Sequence, residues 1–280
     1  MAIIQTQGPV SDGANPATNR WTLSWAAATD RGHHRECNED AWGVFSLSPV
    51  SSTLASAAPC PPEGALFILS DGMGGARAGE VASRICVEQL ARSVGNRPAG
   101  TPFATALRTA FDATHTALVD AGRNEPNWLG MGATLTAFVL MPDGHVTFGH
   151  IGDSRLYRHS QGAWRQATDD HSLGDGLVRR GQMTPDAAAR FRFRALLEQV
   201  MGGDGRPIDP QIGEFSLAPG EALILCCDGL YRPLEESLAA RFDAAIGSSD
   251  LAGAAQGFID AANAAGGPDN ITVVLARATI

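Results

Sequence analysis

Five aspartates stand where apolar, strand-like runs begin or stop: Asp40, Asp71, Asp153, Asp228 and Asp269. Two of the runs echo each other, LFILSDG at 66–72 and LILCCDG at 223–229. Asp153 follows VTFGHIG, Asp269 precedes ITVVLA within Gly267-Pro268-Asp269-Asn270, and Asp40 closes Cys37-Asn38-Glu39-Asp40 just before a strand pattern. Each acid taken singly reads better as a solvated Asx turn or a helix cap. Together, acids at strand ends can gather along one rim of a sandwich, where close carboxylates raise one another's pKa unless a cation lies between them. Carboxylates, a glycine carbonyl and water are hard oxygen ligands that suit Mg2+ or Mn2+ and not zinc. The pattern predicts a two-metal centre.

The stretch 66–83, LFILSDGMGGARAGEVAS, predicts a buried strand over 66–69, an acidic loop and a helix over 76–94. Gly72, Gly74 and Gly75 let the chain turn tightly and bring a carbonyl close to a ligand. A glycine-rich turn before a helix also suits phosphate, but the lysine and Ser/Thr of a P-loop and the GxGxxG spacing are missing. An acidic loop suits a cation better than a bare anion.

The remaining elements must position these acids. Residues 1–19 lack periodicity and predict a loosely ordered tail, with the folded domain over 20–280. Strands are predicted over 21–28 and 41–47, then a Ser/Ala/Pro-rich loop over 48–64. A second helix follows over 102–121, with Phe103, Leu107, Ala110, Phe111 and Leu118 on one face. Strands over 134–140 and 145–151 flank the hairpin signal Asp143-Gly144, and 155–158 and 163–166 continue the meander. Alternation stops over 168–205, around short helical patterns at 173–180 and 185–200, the latter capped by Thr184-Pro185. Strands return at 212–217, 222–227 and 271–276, and helices at 234–246 and 251–265. Hairpin-like strands with paired helices predict sheets packed inside helical layers.

The 280-residue chain has no dividing linker and predicts one domain. Its net charge of -9 argues against nucleic acid as the main partner and suits cation binding. Five cysteines without a CxxC pair fit a reduced compartment. Cys226 and Cys227, neighbours in a strand, are expected on opposite faces as small apolar fillers. No apolar run approaches the ~20 residues that span a bilayer, and the start of the chain lacks a secretory pattern. A cytoplasmic monomer without membrane contact is expected.

The motifs carry a resemblance. The chain resembles the metal-dependent serine/threonine protein phosphatases, the PPM or type 2C family, in its bacterial branch. The matching residues are Asp30-x-Gly32-x-x-Arg35-x-x-Asn38-Glu39-Asp40, Asp71-Gly72-Met73-Gly74-Gly75 with Ala78-Gly79-Glu80, Gly130-x-Gly132-Ala133-Thr134, Ile151-Gly152-Asp153-Ser154-Arg155, Cys227-Asp228-Gly229-Leu230 and Gly267-Pro268-Asp269-Asn270. They appear in the family's order over about 20–278.

The resemblance implies an α+β, four-layer αββα sandwich: two central antiparallel sheets flanked by pairs of helices. It also implies hydrolysis of phosphoserine and phosphothreonine in proteins phosphorylated by a cognate kinase, with two core Mn2+ or Mg2+ ions. Asp40, Asp71 and the Gly72 carbonyl would hold one ion, and Asp71 would bridge to a second held with Asp228 and Asp269. Glu39 would act through metal-bound water, and Asp153 with Asp228 resembles a weaker third site. Arg35 would bind the substrate phosphate through paired charge-assisted bonds. A dimetal-bridged hydroxide would attack phosphorus in line with the leaving oxygen, so Asp71, Asp228 and Arg35 carry the catalysis.

Some eukaryotic relatives have His directly after the Asp-Gly pair where this chain has Met73, and the general acid is unassigned; His33 and His34 read as surface residues. The segment 168–205 occupies the place of the family's flap. It departs from the bacterial pattern at Glu198-Gln199, and Arg179, Arg180, Arg190, Arg192 and Arg194 either meet acidic or phosphorylated segments or form a solvated basic face. Two rival readings are a phosphoprotein-binding module without activity and a hydrolase of small phosphoesters.

Overall fold

Antiparallel register decides where the five aspartates end up. The structure, a computed structural model, describes residues 22–47, 57–73 and 78–279. The tail over 1–19, Trp21, residues 48–56 of the expected loop, Gly74, Gly75 and the start of the 76–94 helix lie outside the described residues.

In chain order the elements are β1 (Thr22–Asp30), β2 (Asp40–Ser46), β3 (Ala57–Pro59), β4 (Ala65–Met73), α1 (Ala78–Gly95), α2 (Phe103–Asn124), β5 (Gly132–Ala133), β6 (Leu135–Leu140), β7 (His145–Ile151), β8 (Arg155–Ser160) and β9 (Ala163–Gln166). Then come α3 (Leu173–Arg179), α4 (Pro185–Ala189), β10 (Met201–Gly202), β11 (Gln211–Ser216), β12 (Ala222–Cys226), α5 (Asp228–Leu234), α6 (Leu238–Gly247), α7 (Leu251–Ala264) and β13 (Ile271–Thr279). One sheet runs β3-β1-β13-β12-β8-β9, the other β10-β5-β4-β6-β7-β11, with β2 also on β4.

Alternation along the strands sorts side chains into three cores. Phe67, Leu69, Phe138, Leu140, Leu223, Leu225 and Val274 meet between the sheets. Their neighbours Leu66, Ile68, Ala137 and Val139 face outward onto Leu90, Leu107 and Phe111 of α1 and α2. On the other side Ile224, Cys226, Val273 and Leu275 pack under Leu230, Phe242, Phe258 and Ile259 of α5, α6 and α7. Both faces of each sheet are thus buried, which gives the four layers expected. Cys226 and Cys227 do point to opposite faces, as the period of two requires.

Three expectations are corrected. The helix expected over 185–200 ends at Ala189. Beyond it Leu173, Gly174 and Glu198 N–H groups bond to the carbonyls of Leu196, Arg194 and His171, so pairing with the segment before α3 overrides local helical preference. The helix expected over 234–246 is α6 alone, and a separate α5 precedes it, with Asp228 in its first turn. Finally, β4 runs on through Asp71 to Met73 because β5 pairs with Gly72 and Met73.

The centre of the sandwich is the register pair Phe67 and Phe138, stacked with ring centroids 4.5 Å apart. Both are almost wholly buried. Phe138→Ala is expected to lower unfolding free energy by about 3–5 kcal/mol through the cavity it leaves, read as a lower urea midpoint at unchanged slope; a loss under about 1 kcal/mol would contradict this core assignment.

Candidate metal centre

Strand ends of both sheets meet at one rim. In one sheet Asp40 lies directly across from Asp71, Gly72 opposite Ala133, and Leu135 opposite Ile151. In the other, Asp30 lies opposite Ile271, and Cys226 opposite both Val273 and Arg155. The start of β2, the end of β4, the β7–β8 turn, the end of β12 and the start of β13 therefore share that rim. Asp40, Asp71, Asp153, Asp228 and Asp269 sit on these five positions.

Backbone contacts hold the rim. The Asp71 N–H donates to the Thr134 hydroxyl at 2.9 Å, the Thr134 N–H returns a bond to the Asp71 carbonyl at 2.8 Å, and the Thr134 and Ser154 hydroxyls bond at 2.8 Å. The Gly72 N–H donates to the Glu39 carbonyl at 3.1 Å. A Cβ on Gly72 would collide with the Gly79 carbonyl, and one on Gly79 would stand 2.5 Å from Glu39 Oε1. The start of α1 can press on the metal loop only because both residues are glycine. Asn270 fastens the other side: its Oδ1 accepts from the Glu39 N–H at 2.9 Å, and its Nδ2 donates to the carbonyls of Arg31 and Cys37.

The electrostatics match a cation site. Burial pushes the Asp40 carboxyl up to about 7, with Asp228 and Asp269 adding repulsion, while the Thr272 hydroxyl and Cys227 thiol beside it pull the other way. Asp71 is pushed well up by burial and then by Asp40, Asp228, Asp153 and Asp269. Asp228 is raised by burial despite Arg232, and Asp153 rises to about 7 through burial and Asp228. Asp71 thus feels the other four, and Asp228 or Asp269 bears on each of Asp40, Asp153 and Asp228.

Asp40 Oδ2 accepts a 2.5 Å bond from the Thr272 hydroxyl. Its Oδ1, and Oδ1 of Asp228, are buried without a hydrogen-bond partner. Two orphan anionic oxygens in low dielectric are costly unless paired, and hard divalent ions are what such donors fit. Among the described residues, no three acidic, histidine or cysteine side chains are drawn into a closed metal cage. Three of the acids are engaged in ion pairs: Asp269 bonds Arg35 at 2.6 Å, and Asp153 and Asp228 meet Arg232 at 2.8 and 3.2 Å.

Arg35 stands half-exposed at the mouth, within the field of Asp269, Asp71 and Glu39. His33 and His34 are exposed, as read from the sequence. Sequence reasoning quoted Thr134, Ser154 and Asn270 in motifs without giving them these roles, and it missed Thr272 and Arg232. Arg232 lies four residues after Asp228, a helical spacing that carried no signal while α5 was unrecognised. The flap arginines are partly absorbed within the chain: Arg180 pairs with Glu198 at 2.8 Å, Arg179 donates to the Asp170 carbonyl and Arg194 to that of Ala189.

Comparison with known proteins places the chain among bacterial phosphatases. The family model described as Protein phosphatase 2C matches residues 54–256. The chain is 34% identical to the serine/threonine protein phosphatase PstP of Mycobacterium tuberculosis over 91% of its own length and 45% of PstP, so it spans under half of that relative. It is 33% identical to the serine/threonine phosphatase stp of Listeria welshimeri, over 88% of this chain and 92% of that protein. The crystal structure of the PstP catalytic domain in complex with two manganese ions superposes with a TM-score of 0.74 at 32% identity, covering 93% of this chain and all of that one.

The raised carboxyls have a signed consequence for stability. Between the ordinary carboxyl pKa and about 7 the folded protein keeps the Asp40 proton that the unfolded chain has lost, so its folding free energy weakens as pH rises through that window. The buried His150 and His171, held down to about 3 and about 4, act in the opposite sense below about 6.5. The Asp40 contribution is therefore read by difference. In EDTA, Asp40→Asn is expected to gain thermal stability relative to the parent as pH rises from about 5 to about 8; a difference in Tm that stays flat or shrinks would refute the electrostatic picture.

Proposed function

The chain belongs to the protein phosphatase 2C family, and we propose that it is a metal-dependent phosphatase acting on phosphoserine and phosphothreonine in proteins. The observation that carries this reading is the pair of buried, partnerless oxygens, Asp40 Oδ1 and Asp228 Oδ1, at a rim shared by five aspartates. The names of the bacterial relatives support the reaction, and the two manganese ions of the PstP catalytic domain support the cofactor.

In this reading Asp40, Asp71 and the Gly72 carbonyl hold one Mn2+ or Mg2+, and Asp71, Asp228 and Asp269 the other, with Glu39 acting through water. The ions, when bound, supply Lewis acidity that activates water and neutralises phosphoryl oxygens. The chain's own groups do the rest. Thr272 occupies Asp40 Oδ2 and so leaves Oδ1 facing the site. Thr134 fixes the Asp71 backbone from both its N–H and its carbonyl. Arg35 gives one Nη to Asp269, and its remaining N–H donors are free for two oxygens of a phosphoryl group in the fork geometry that guanidinium provides.

Met73 has no proton to give the leaving oxygen, and its strand position is taken up in pairing with Gly132. Substrates are phosphorylated proteins made by a serine/threonine kinase, met by a monomer in the cytoplasm. All five cysteines are unpaired, and among the described residues no helix is long and apolar enough to cross a membrane.

The test is phosphate release from a phosphothreonine peptide across a Mn2+ series, with EDTA as control. Asp71→Asn and Asp228→Asn should each lower kcat/KM by at least about a hundredfold, and near-parental turnover by either would sink the two-metal reading. A nucleotide or sugar phosphate turned over faster than the peptide would redirect it to small phosphoesters.

A further inference from the structure

The family resemblance implies Asp153 and Asp228 as ligands of a third ion; the geometry gives them another partner. Arg232 Nη2 lies 2.8 Å from Asp153 Oδ2, and Nη1 lies 3.2 Å from Asp228 Oδ2. One guanidinium thus places one arm on each carboxylate. We infer that Arg232 is a built-in counter-ion that takes the place of a third metal between Asp153 and Asp228, so that the centre is limited to two ions. This rests on the two-metal reading above.

Three observations support the assignment. Asp153 is nearly buried, its side chain 7% exposed, so its charge needs a partner inside the protein. Asp228 divides its two oxygens: Oδ2 meets Arg232, while Oδ1 has no partner and stays available to the core pair. Arg232 is also placed by the fold, one helical turn beyond Asp228 on α5, where side chains four apart are neighbours.

A divalent ion does not fit beside it. To reach Oδ2 of both acids the ion would have to expel a guanidinium that remains charged at every pH the fold tolerates. Left in place, the guanidinium occupies the two Oδ2 atoms that such an ion would need. Removing the guanidinium would give an ion both a site and an entrance. Asp153 and Arg232 border a cleft of about 250 Å3 between α5 and the flap, also lined by Arg155, Asp170, Arg194 and Glu235. Arg155 does not compete for the role, since it is held by Asp170 at 2.7 Å and lies over the Tyr231 ring at 3.7 Å.

The experiment counts ions, not turnover. Manganese bound per full-length chain is measured at saturation by equilibrium dialysis and elemental analysis, for the parent, Arg232→Gln and Arg232→Gln with Asp153→Asn. The expected plateaus are two, three and two. A third ion on the parent overturns the inference, as does a plateau of two for Arg232→Gln. If Arg232→Gln fails to fold, the parent titration still decides, because a third ion there is incompatible with an occupied Arg232 position. A parent plateau below two counts against the two-metal reading itself, which separates the two failures.

Discussion

Mutual repulsion among carboxylates recessed at one rim is the constraint on which the rest of this structure depends. Burial removes water from Asp40, Asp71, Asp153 and Asp228, and each then feels others of the set. Such an arrangement opposes folding by itself. It persists because four layers of apolar packing fix the strand ends regardless, and because four of the five acids have an answer: a hydroxyl for Asp40, an arginine for Asp269, a shared arginine for Asp153 and Asp228. The partnerless oxygens that remain are where we propose that cations bind.

Stability and chemistry are separated in space by the same alternation. The apolar positions of β4, Leu66 to Leu69, feed two cores on opposite faces. Only at Asp71 and Gly72 does the strand leave the packed layers, and there its neighbours become Asp40, Glu39, Thr134 and Gly79. Rigid sheets beneath a polar rim hold ligands whose positions matter to fractions of an ångström. The flap is built differently, from short helices and turns tied by Arg155 to Asp170 and by Arg180 to Glu198. Its bonds are mostly local and partly exposed, as befits a segment beside a cleft.

Much of the fold could be read from pattern. The hairpin at Asp143-Gly144, the cap at Thr184 and the long strands were visible because turn chemistry, capping and a period of two are local signals. The helix expected over 185–200 was not local: backbone pairing of 194–198 with 171–174 decided it. α5 was hidden because it begins at the aspartate that ends a strand pattern and carries Pro233 inside it.

The sequence alone singled out the residues we propose to carry the chemistry, because acids at strand ends and glycines at close approaches are written in residue types and spacing. It also determined the family, through motifs kept in order. Only the tertiary structure decided who partners whom. Asp40 and Asp71 face each other through antiparallel register, Thr272 reaches Asp40 and Asn270 reaches Glu39 from more than two hundred residues away, and Arg232 reaches both Asp153 and Asp228 because a helix turns it toward them. Such contacts depend on directions in space, and no one-dimensional spacing records where a guanidinium will point.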